Sequence, residues 1–360
     1  MATSAAVTGL TVKQWDDKFF TEYMQENRFS KFMGTDENSV IHVKEDLSKM
    51  KGDAIHFALV NKLANAATTG SNTLQGNEER LEQRSHRLTI EQYRHAVQVP
   101  VFENKKSAID LRDAAKVALK DWTMEHTRGK VIAAMGSING VAYASASEAE
   151  KDAWLVDNAD RVLFGALKSN NSSNDHSASL ANIDNTADKL TAVAVSLMKR
   201  MALSASPRIR PITVEGGKRF YVMFANPLTF RDLGNDSTII ANRRDSNLKM
   251  QGIKLFEGGD IEHDGVIVHE IDDIPVLTGV GAGAINVSPV YLCGAQSVGV
   301  GYGKRWQSVE DEFDYGDKQG IATRAWYEVN KLTFGSGATD TDDLKQHGIV
   351  TGYFASVADA

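Results

Sequence analysis

Two runs of alternating residues, held far apart by a polar connection, constrain the fold of this chain more than any other feature. Residues 53–60 place apolar side chains such as Ile55 and Phe57 at every second position, the period of a strand with one apolar face. A second extended run covers residues 86–99. Residues 63–84, LANAATTGSNTLQGNEERLEQR, are small, polar or charged, and they are too many for a tight hairpin. Because a two-stranded ribbon is marginally stable alone in water, this pattern predicts a projecting flap that needs cover.

The end of the connection carries charges of both signs and provides candidate contact residues. These are Asn77, Glu78, Glu79, Arg80, Arg84 and Arg87. Side chains of both signs can match complementary charges on another subunit, where they set register and specificity. A solvated loop is the simpler alternative, because exposed ion pairs contribute little to stability.

The N-terminal part of the chain predicts an amphipathic helix that is rich in aromatic rings. Trp15, Phe19 and Tyr23 recur at helical spacing within residues 12–33. A terminal helix cannot bury so many rings by itself, so it must pack on its own subunit or on a neighbour. Both alternatives are open from the sequence, and these three residues are further candidate contacts.

A long helix is predicted over residues 107–135. Leu119 and Trp122 fall on its apolar line, which places Trp122 in the core. Ser107, followed three residues later by Asp110, predicts a capped start.

Beyond this helix the sequence alternates between helical and extended patterns. Ser147 and Glu150 predict a capping box for a helix that continues to about Leu167, and another helix is expected over residues 186–205. Residues 168–186, rich in Ser and Asn and without periodicity, predict a mobile loop.

Strand patterns dominate the remaining third of the chain. They cover residues 219–225, two short stretches within 264–277, and 322–334. The closing run 348–357, GIVTGYFASV, is expected to pair with the strand at 322–334.

Charge and cysteine content exclude several classes of protein. The net charge of -7 argues against a basic nucleic-acid surface that covers the whole chain. Cys293 is the only cysteine, so no intrachain disulfide forms, and its apolar flanks predict a small buried hydrophobe rather than a nucleophile. The first residues lack the pattern of a secretion signal, and no apolar run is long enough for a membrane helix. We therefore expect a protein that stays in the cytoplasm of the cell that makes it.

The motifs that usually carry chemistry are incomplete in this sequence. The glycine-rich run at 298–305 lacks the glycine and hydroxyl residue of a phosphate loop, and Pro289 interrupts the helix that a dinucleotide loop needs. His263 and His269 are poorly spaced to bind one metal ion. The acidic runs 310–317 and 339–343 are interpreted as solvated faces. The sequence therefore predicts no enzyme activity, no cofactor and no metal site.

The order of these elements resembles the major capsid proteins of tailed bacteriophages, in the branch found in N-four-like short-tailed phages. The runs that carry the resemblance are NSVIHV (38–43), LSKMKGDAIHFALVNKLA (47–64), LQGNEERLEQRSHRLTIEQYRHAV (74–97), AIDLRDAAKVALKDW (108–122), RIRPITVEGGKRFYVMFANPLTFRDL (208–233), EDEFDYGDKQGIATRAWYEVNKLTF (310–334) and GIVTGYFA (348–355). They extend over most of residues 38–355 and are patterns of residue type rather than a chemical signature.

The resemblance implies an α+β fold of the Hong Kong ninety-seven type. Residues 1–46 would form an N-terminal arm, 47–100 the extended loop with its flanking strands, and 101–139 the spine helix of a peripheral domain. Residues 140–305 would form the axial domain, and 306–360 the strands that return to the peripheral domain.

The resemblance also implies a function and partners. The chain would assemble with itself, as pentamers and hexamers, into the icosahedral shell around the double-stranded DNA of a phage. It would reside in the virion, be assembled in the host bacterial cytoplasm, and contact the packaged DNA weakly and without sequence specificity, as its acidic balance suggests. A portal, a possible cement protein and a separate scaffold protein are the other expected partners, and no membrane is expected.

Two further functions remain as alternatives at this stage. A soluble α/β enzyme or small-ligand binding protein is suggested only by the glycine-rich runs, and a capsid decoration protein would share the same particle. Some relatives cross-link through a lysine of the extended loop. Lys49, Lys51 and Lys62 lie in that region, but no acid that would activate the reaction is evident, so cross-linking is not predicted.

Overall fold

The computed structural model describes most of the chain. The described residues are 28–45, 52–60, 63, 65–79, 81, 83–107, 109–214, 217–246, 260–335 and 344–359. Trp15, Phe19, Tyr23 and Arg80 lie outside them, as do the three loop lysines and the acidic run at 339–343. No helix in these ranges is both long and apolar enough to cross a membrane.

The described residues form one long helix, several shorter helices and many strands. The helices are α1 (Val101–Lys106), α2 (Leu111–Gly136), α3 (Glu148–Asp157), α4 (His176–Ala181), α5 (Ala192–Ser204), α6 (Pro227–Gly234) and α7 (Ser237–Ser246). The strands are β1 (Met33–Gly34), β2 (Ile41–Lys44), β3 (Ala54–Val60), β4 (Gln83–Thr89), β5 (Glu91–Pro100), β6 (Val162–Phe164), β7 (Ile212–Thr213), β8 (Arg219–Ala225), β9 (Ile261–His263), β10 (Val266–Glu270), β11 (Val287–Cys293), β12 (Val298–Phe313), β13 (Lys318–Lys331), β14 (Thr333–Gly335), β15 (Leu344–Gln346) and β16 (Ile349–Ala355).

The chain divides into two compact units. Of the described residues, the first contains 91–127 and 304–326, and the second contains 28–90, 128–303 and 327–359. In the first unit the strand order is β12, β13, β5. Its small core joins Val99, Leu119 and Ile321, so the apolar line of α2 packs as the sequence predicts.

The start of α2 differs from the sequence prediction. Asp110 accepts hydrogen bonds from the backbone N–H groups of Arg112 and Asp113, at 2.9 and 3.3 Å, and these bonds lower the pKa of Asp110. Ser107 instead follows the last turn of α1, where its N–H donates to the carbonyl of Glu103 at 3.1 Å. The helix therefore begins after Asp110, because the carboxylate satisfies the unpaired donors of the first turn.

Trp122 occupies a ring cluster rather than a sealed core. Its indole is half-buried, with ring centroids 4.7 Å from His95, 5.0 Å from His126 and 5.7 Å from Trp306. Trp122 was expected in the core, and it is only partly buried instead, because the polar rings of His95 and His126, which tolerate water, fill part of its surroundings.

The second unit is built on a sheet in the order β6, β16, β11, β8, β10, β9. Alternate residues of the same strands supply two cores. Leu292 and Phe354 pack with Met198 of α5 in one, while Val287 and Tyr353 pack with Trp154 of α3 in the other. Both faces of the central strands are therefore covered, which explains why these strands are apolar at almost every position.

This arrangement corrects the predicted partner of the closing strand. β16 pairs with β11 antiparallel and with β6 parallel, and not with residues 322–334. All seven residues of β16 are buried, whereas buried and partly exposed residues alternate along β13. A strand that is apolar on both sides suits the centre of a covered sheet, and an alternating strand suits a sheet with one wet face.

One helix prediction and one loop prediction are also corrected. The Ser147–Glu150 capping box is present, but α3 ends at Asp157, and β6 follows where the helix was expected to continue. Residues 168–186 are not a featureless loop, because Asp175 caps α4 through the N–H of Ala178 at 2.8 Å. Side-chain bonds to the backbone, typical of Ser, Asn and Asp, order this stretch without helical periodicity.

Candidate assembly interface

The predicted ribbon is present and its register is complete. β3 and β4 pair antiparallel from Ala54 opposite Thr89 to Val60 opposite Gln83. Ile55, Phe57 and Leu88 lie on one face and are at most 4% exposed. The alternation in the sequence therefore correctly identified the buried face.

The buried face of the ribbon packs on its own chain. Ile55, Phe57 and Leu88 form one cluster with Leu332 and Phe334, at the junction of β13 and β14. The strands of the ribbon are thus covered within one copy, and the predicted need for outside cover does not apply to them.

Two glycines of β12 make this packing possible. A Cβ at Gly299 would lie 2.8 Å from Leu332 Cδ2 and 3.0 Å from Phe57 Cζ, and one at Gly301 would lie 2.9 Å from Leu88 Cδ2. These distances are shorter than carbon–carbon contact distances in a packed core. The strand can therefore approach the ribbon only where it lacks side chains.

Arg84, one of the predicted contact residues, is tied to its own chain. It is 7% exposed, and its Nε donates to the carbonyl of Gly335 at 3.0 Å. Pairing places Arg84 opposite Leu59 and His86 opposite Phe57, so both polar residues share the buried face. His86 Nδ1 lies 3.1 Å from the carbonyl of Thr333. Arg84 and Leu88 are an even number of positions apart along the strand, so their side chains lie on the same face. This even spacing was the sequence signal for the burial of Arg84.

Arg87 lies on the opposite, exposed face of the ribbon. Its Nη2 is 3.2 Å from Asp53 Oδ2, and both side chains are more than half exposed. Its side chain is accessible to solvent, and its role as a contact residue stays a prediction.

The connection between the strands is shaped by local hydrogen bonds. Glu78 Oε2 accepts from the N–H of Gly76 at 2.7 Å, and Glu79 Oε2 accepts from the N–H of Asn65 at 2.9 Å. Asn77 Nδ2 donates to the carbonyl of Thr73 at 2.9 Å. These three predicted contact residues thus hold the path of the connection.

The same connection exposes several large aliphatic side chains. They are Leu63 (56% exposed), Leu74 (67%) and Leu81 (53%), and Val60 (56%) at the end of β3 adds to them. Sequence reasoning singled out the charges and missed these leucines, although their apolar character within a polar stretch was the available signal. A row of exposed aliphatic residues on a segment anchored at both ends favours contact with another molecule.

The groups singled out as possible chemical sites make separate structural contacts. His269 pairs with Asp260 at 2.6 Å, whereas His263 Nε2 lies 3.2 Å from Ser196 Oγ, so the two imidazoles have different partners. Glu148, Asp152 and Asp175 come close together, but Asp152 accepts from the N–H of His176 at 2.7 Å, and Asp175 caps α4.

Cys293 is buried as expected. Desolvation raises the pKa of its thiol to about 12, and so the thiolate needed for nucleophilic chemistry is scarce at neutral pH.

Known proteins with similar sequences identify the family of this chain. Residues 3–358 match the family model described as phage capsid protein. The major capsid protein of Pseudomonas phage KPP25 is 26% identical over 362 aligned positions, which cover 95% of this chain and 94% of that protein.

Solved structures agree over the whole length. The capsid asymmetric unit of cyanophage Pam1 matches with a TM-score of 0.86 and 31% identity, and the capsid of Ralstonia phage GP4 with a TM-score of 0.79 and 21% identity. Each covers 100% of both chains. The fold is the α+β capsid fold of tailed phages, of the Hong Kong ninety-seven type, as the resemblance implied. The chain belongs to the phage capsid protein family. The N-four-like branch stays a prediction.

Proposed function

We propose that this chain is the shell subunit of a tailed phage, assembling with itself as pentamers and hexamers into an icosahedral capsid around double-stranded DNA. The observation that carries the proposal is the connection of the ribbon, which is anchored at its base and exposes Leu63, Leu74 and Leu81. Apolar side chains gain free energy when a neighbouring copy covers them, by about 25 cal/mol for each Å² removed from water. The role is structural rather than catalytic.

The proposed regions follow the family architecture. The ribbon and its connection correspond to the extended loop proposed for residues 47–100. The compact unit of residues 91–127 and 304–326 joins the first part of α2 to parts of β12 and β13, which supports a peripheral domain that groups the spine helix with return strands. Strand β16 belongs to the same sheet as β8 and β11, which favours grouping residues 349–355 with the proposed axial domain of residues 140–305 rather than with the return strands proposed for 306–360.

The partners beyond other copies are proposed on chemical grounds and on the family resemblance. The excess of acidic over basic residues, 47 against 40, favours weak contact with packaged DNA, because tight binding needs many cations at phosphates. A scaffold protein, a portal and a cement protein are further proposed partners. The candidate contacts Trp15, Phe19, Tyr23 and Arg80 stay predictions, together with Asn77, Glu78, Glu79 and Arg87.

Assembly of the expressed chain with the scaffold protein of its phage tests the proposal. Size-exclusion chromatography and electron microscopy should show closed particles of uniform size. Deletion of residues 65–79, which removes most of the connection and retains the paired strands, should leave a folded subunit by circular dichroism but no closed shells. A wild-type chain that stays a monomer under all these conditions would refute the shell function, and normal shells from the deletion would show that the connection is dispensable.

A further inference from the structure

A cavity of about 480 Å³ lies beside the end of β3, where the connection of the ribbon begins. Leu59 and Val60 form one side of it, and Phe334 contributes a further apolar wall. Arg161, Gln346 and His347 line it too, so the cavity combines an apolar wall with polar and cationic groups. All of these residues belong to the second compact unit.

Arg161 is a buried cation whose hydrogen-bonding capacity is only partly used. It has 0% exposure, its Nη2 donates to the carbonyl of Pro207 at 2.6 Å, and its Nε lies 3.5 Å from Asp160 Oδ1. Nη1 is buried and has no hydrogen-bond partner within the described residues. A buried guanidinium is costly unless its donors are satisfied, so an unpaired Nη1 on a residue that lines a cavity indicates a missing acceptor.

Gln346 adds a second unsatisfied group to the same cavity. Its backbone N–H donates to Asn158 Oδ1 at 2.8 Å, which fixes the residue at the end of β15. Its side chain is fully buried, yet neither Nε2 nor Oε1 has a partner in the part of the chain that the structure describes. Buried amides are almost always hydrogen-bonded in folded proteins, so this orphan amide also indicates a ligand.

The electrostatic field in the cavity favours an anion. Lys345 lines the cavity, and its Nζ lies 3.4 Å from the carbonyl of Ser206. Burial, then the charges of Arg161 and Arg210, lowers the pKa of His347 to about 4, so its imidazole is neutral at neutral pH. Asp160 offsets part of the charge of Arg161, because its buried Oδ1 lies 3.5 Å from Arg161 Nε, while its Oδ2 accepts from the N–H of Ser206 at 3.0 Å.

We propose that this cavity binds a carboxylate from an exposed Asp or Glu of a second copy of this chain. Arg161 Nη1 and Gln346 Nε2 would donate to the carboxylate, and Leu59, Val60 and Phe334 would pack against the aliphatic part of the incoming side chain. A water entering with the carboxylate would satisfy Gln346 Oε1. The inference rests on the proposed shell function.

Two observations favour a second copy as the source of the carboxylate. The cavity adjoins the end of β3 and is therefore continuous with the exposed connection that is proposed to contact a neighbour. The chain also carries 47 acidic residues against 40 basic ones, so a homotypic contact offers many carboxylates. A polar bond buried at such a contact sets register as well as affinity.

The substitution Gln346→Met is the test, because it removes both orphan polar atoms while preserving side-chain length. Replacing an unsatisfied buried amide with an apolar side chain is neutral or stabilising for the isolated subunit. The bond to the incoming carboxylate is lost, so we expect the protein concentration needed for assembly to rise about tenfold. Gln98→Met, on an exposed residue of β5, is the matched control and should assemble like the wild type.

A competing anion and a structure of the shell complete the test. Acetate, compared with chloride at equal ionic strength, should slow assembly of the wild type and have no specific effect on Gln346→Met. A structure of the assembled shell should place a carboxylate of another copy within hydrogen-bond distance of Arg161 Nη1.

Several outcomes would overturn the inference without touching the shell function. One is a wild type and a Gln346→Met variant that both assemble at the same concentration. Another is a shell in which the cavity holds an inorganic phosphate ion or an acidic residue of the same chain, such as Asp340 or Asp342. A wild type that fails to assemble would instead refute the shell function itself.

Discussion

The strands of the ribbon and the connection that joins them are neighbours in sequence but opposite in burial. β3 and β4 direct Ile55, Phe57 and Leu88 into a cluster within the same chain, whereas the connection leaves Leu63 and Leu74 more than half exposed. The polar side chains differ in the same way, since Arg84 is buried and Arg87 is exposed. The comparison teaches that the paired strands of the ribbon are packed within one copy, and that only the connection is available for contacts between copies.

Truncation of a ribbon residue on the buried face should have the largest effect on stability. Phe57→Ala leaves a cavity between the ribbon and Leu332, and the free energy of unfolding should fall by about 3–5 kcal/mol in urea titrations. Val60→Ala, on a residue that is 56% exposed, should change it by less than about 0.5 kcal/mol. If the two variants lost the same free energy of unfolding, this would contradict the conclusion that Phe57 is buried in the ribbon and Val60 is exposed at the end of β3.

The packing of the ribbon can also be tested by adding a side chain to β12, which lies against it. Gly299→Val introduces side-chain atoms where even a Cβ would lie 2.8 Å from Leu332, so the ribbon must shift. We expect a loss of about 1–3 kcal/mol in the free energy of unfolding, measured by chemical denaturation. Gly129→Ala, at a helix position with open space around the added Cβ, is the control and should not destabilise the protein. A neutral Gly299→Val would mean that the ribbon does not pack closely on β12.

The two arginines of β4 provide a matched pair within one strand. Arg84→Met removes the donor to the buried carbonyl of Gly335, and should cost about 1–3 kcal/mol of unfolding free energy. Arg87→Met breaks an exposed ion pair with Asp53, and should cost about 0–1 kcal/mol. The comparison of their thermal and urea unfolding curves checks this order, and a larger loss for Arg87→Met would reverse the assignment of the two faces.

The smallest effect on the isolated subunit is expected in the connection. Leu74→Ser changes a side chain that is 67% exposed, so the free energy of unfolding should stay within about 0.5 kcal/mol of the wild type. Assembly should nevertheless weaken, because the apolar contact proposed for this residue is lost. Leu167→Ser is the control, because Leu167 is 59% exposed and lies outside the ribbon. It shows whether the loss of any exposed leucine weakens assembly. Unchanged shell yields from Leu74→Ser would exclude Leu74 from the interface.

Local patterns in the sequence determined much of this protein. Alternation identified the ribbon and its buried face, the Ser147–Glu150 pair identified the start of α3, and apolar flanks identified Cys293 as buried. Each of these features depends on residues close in sequence, where the period of the side chains or one capping bond decides the outcome. The resemblance carried by longer runs extended this to the family and its fold.

Only the tertiary structure decided which distant elements meet. β16 joins β11 and β6 instead of the strand at 322–334, Arg84 binds the carbonyl of Gly335, and Arg161 lies with Gln346 at one cavity. A strand pattern states which faces are apolar but not which strand will cover them, and a charged side chain is compatible with water or with a buried acceptor. Those choices depend on the packing of the whole chain, since the free energy of burying a group is set by the partners that the fold brings to it.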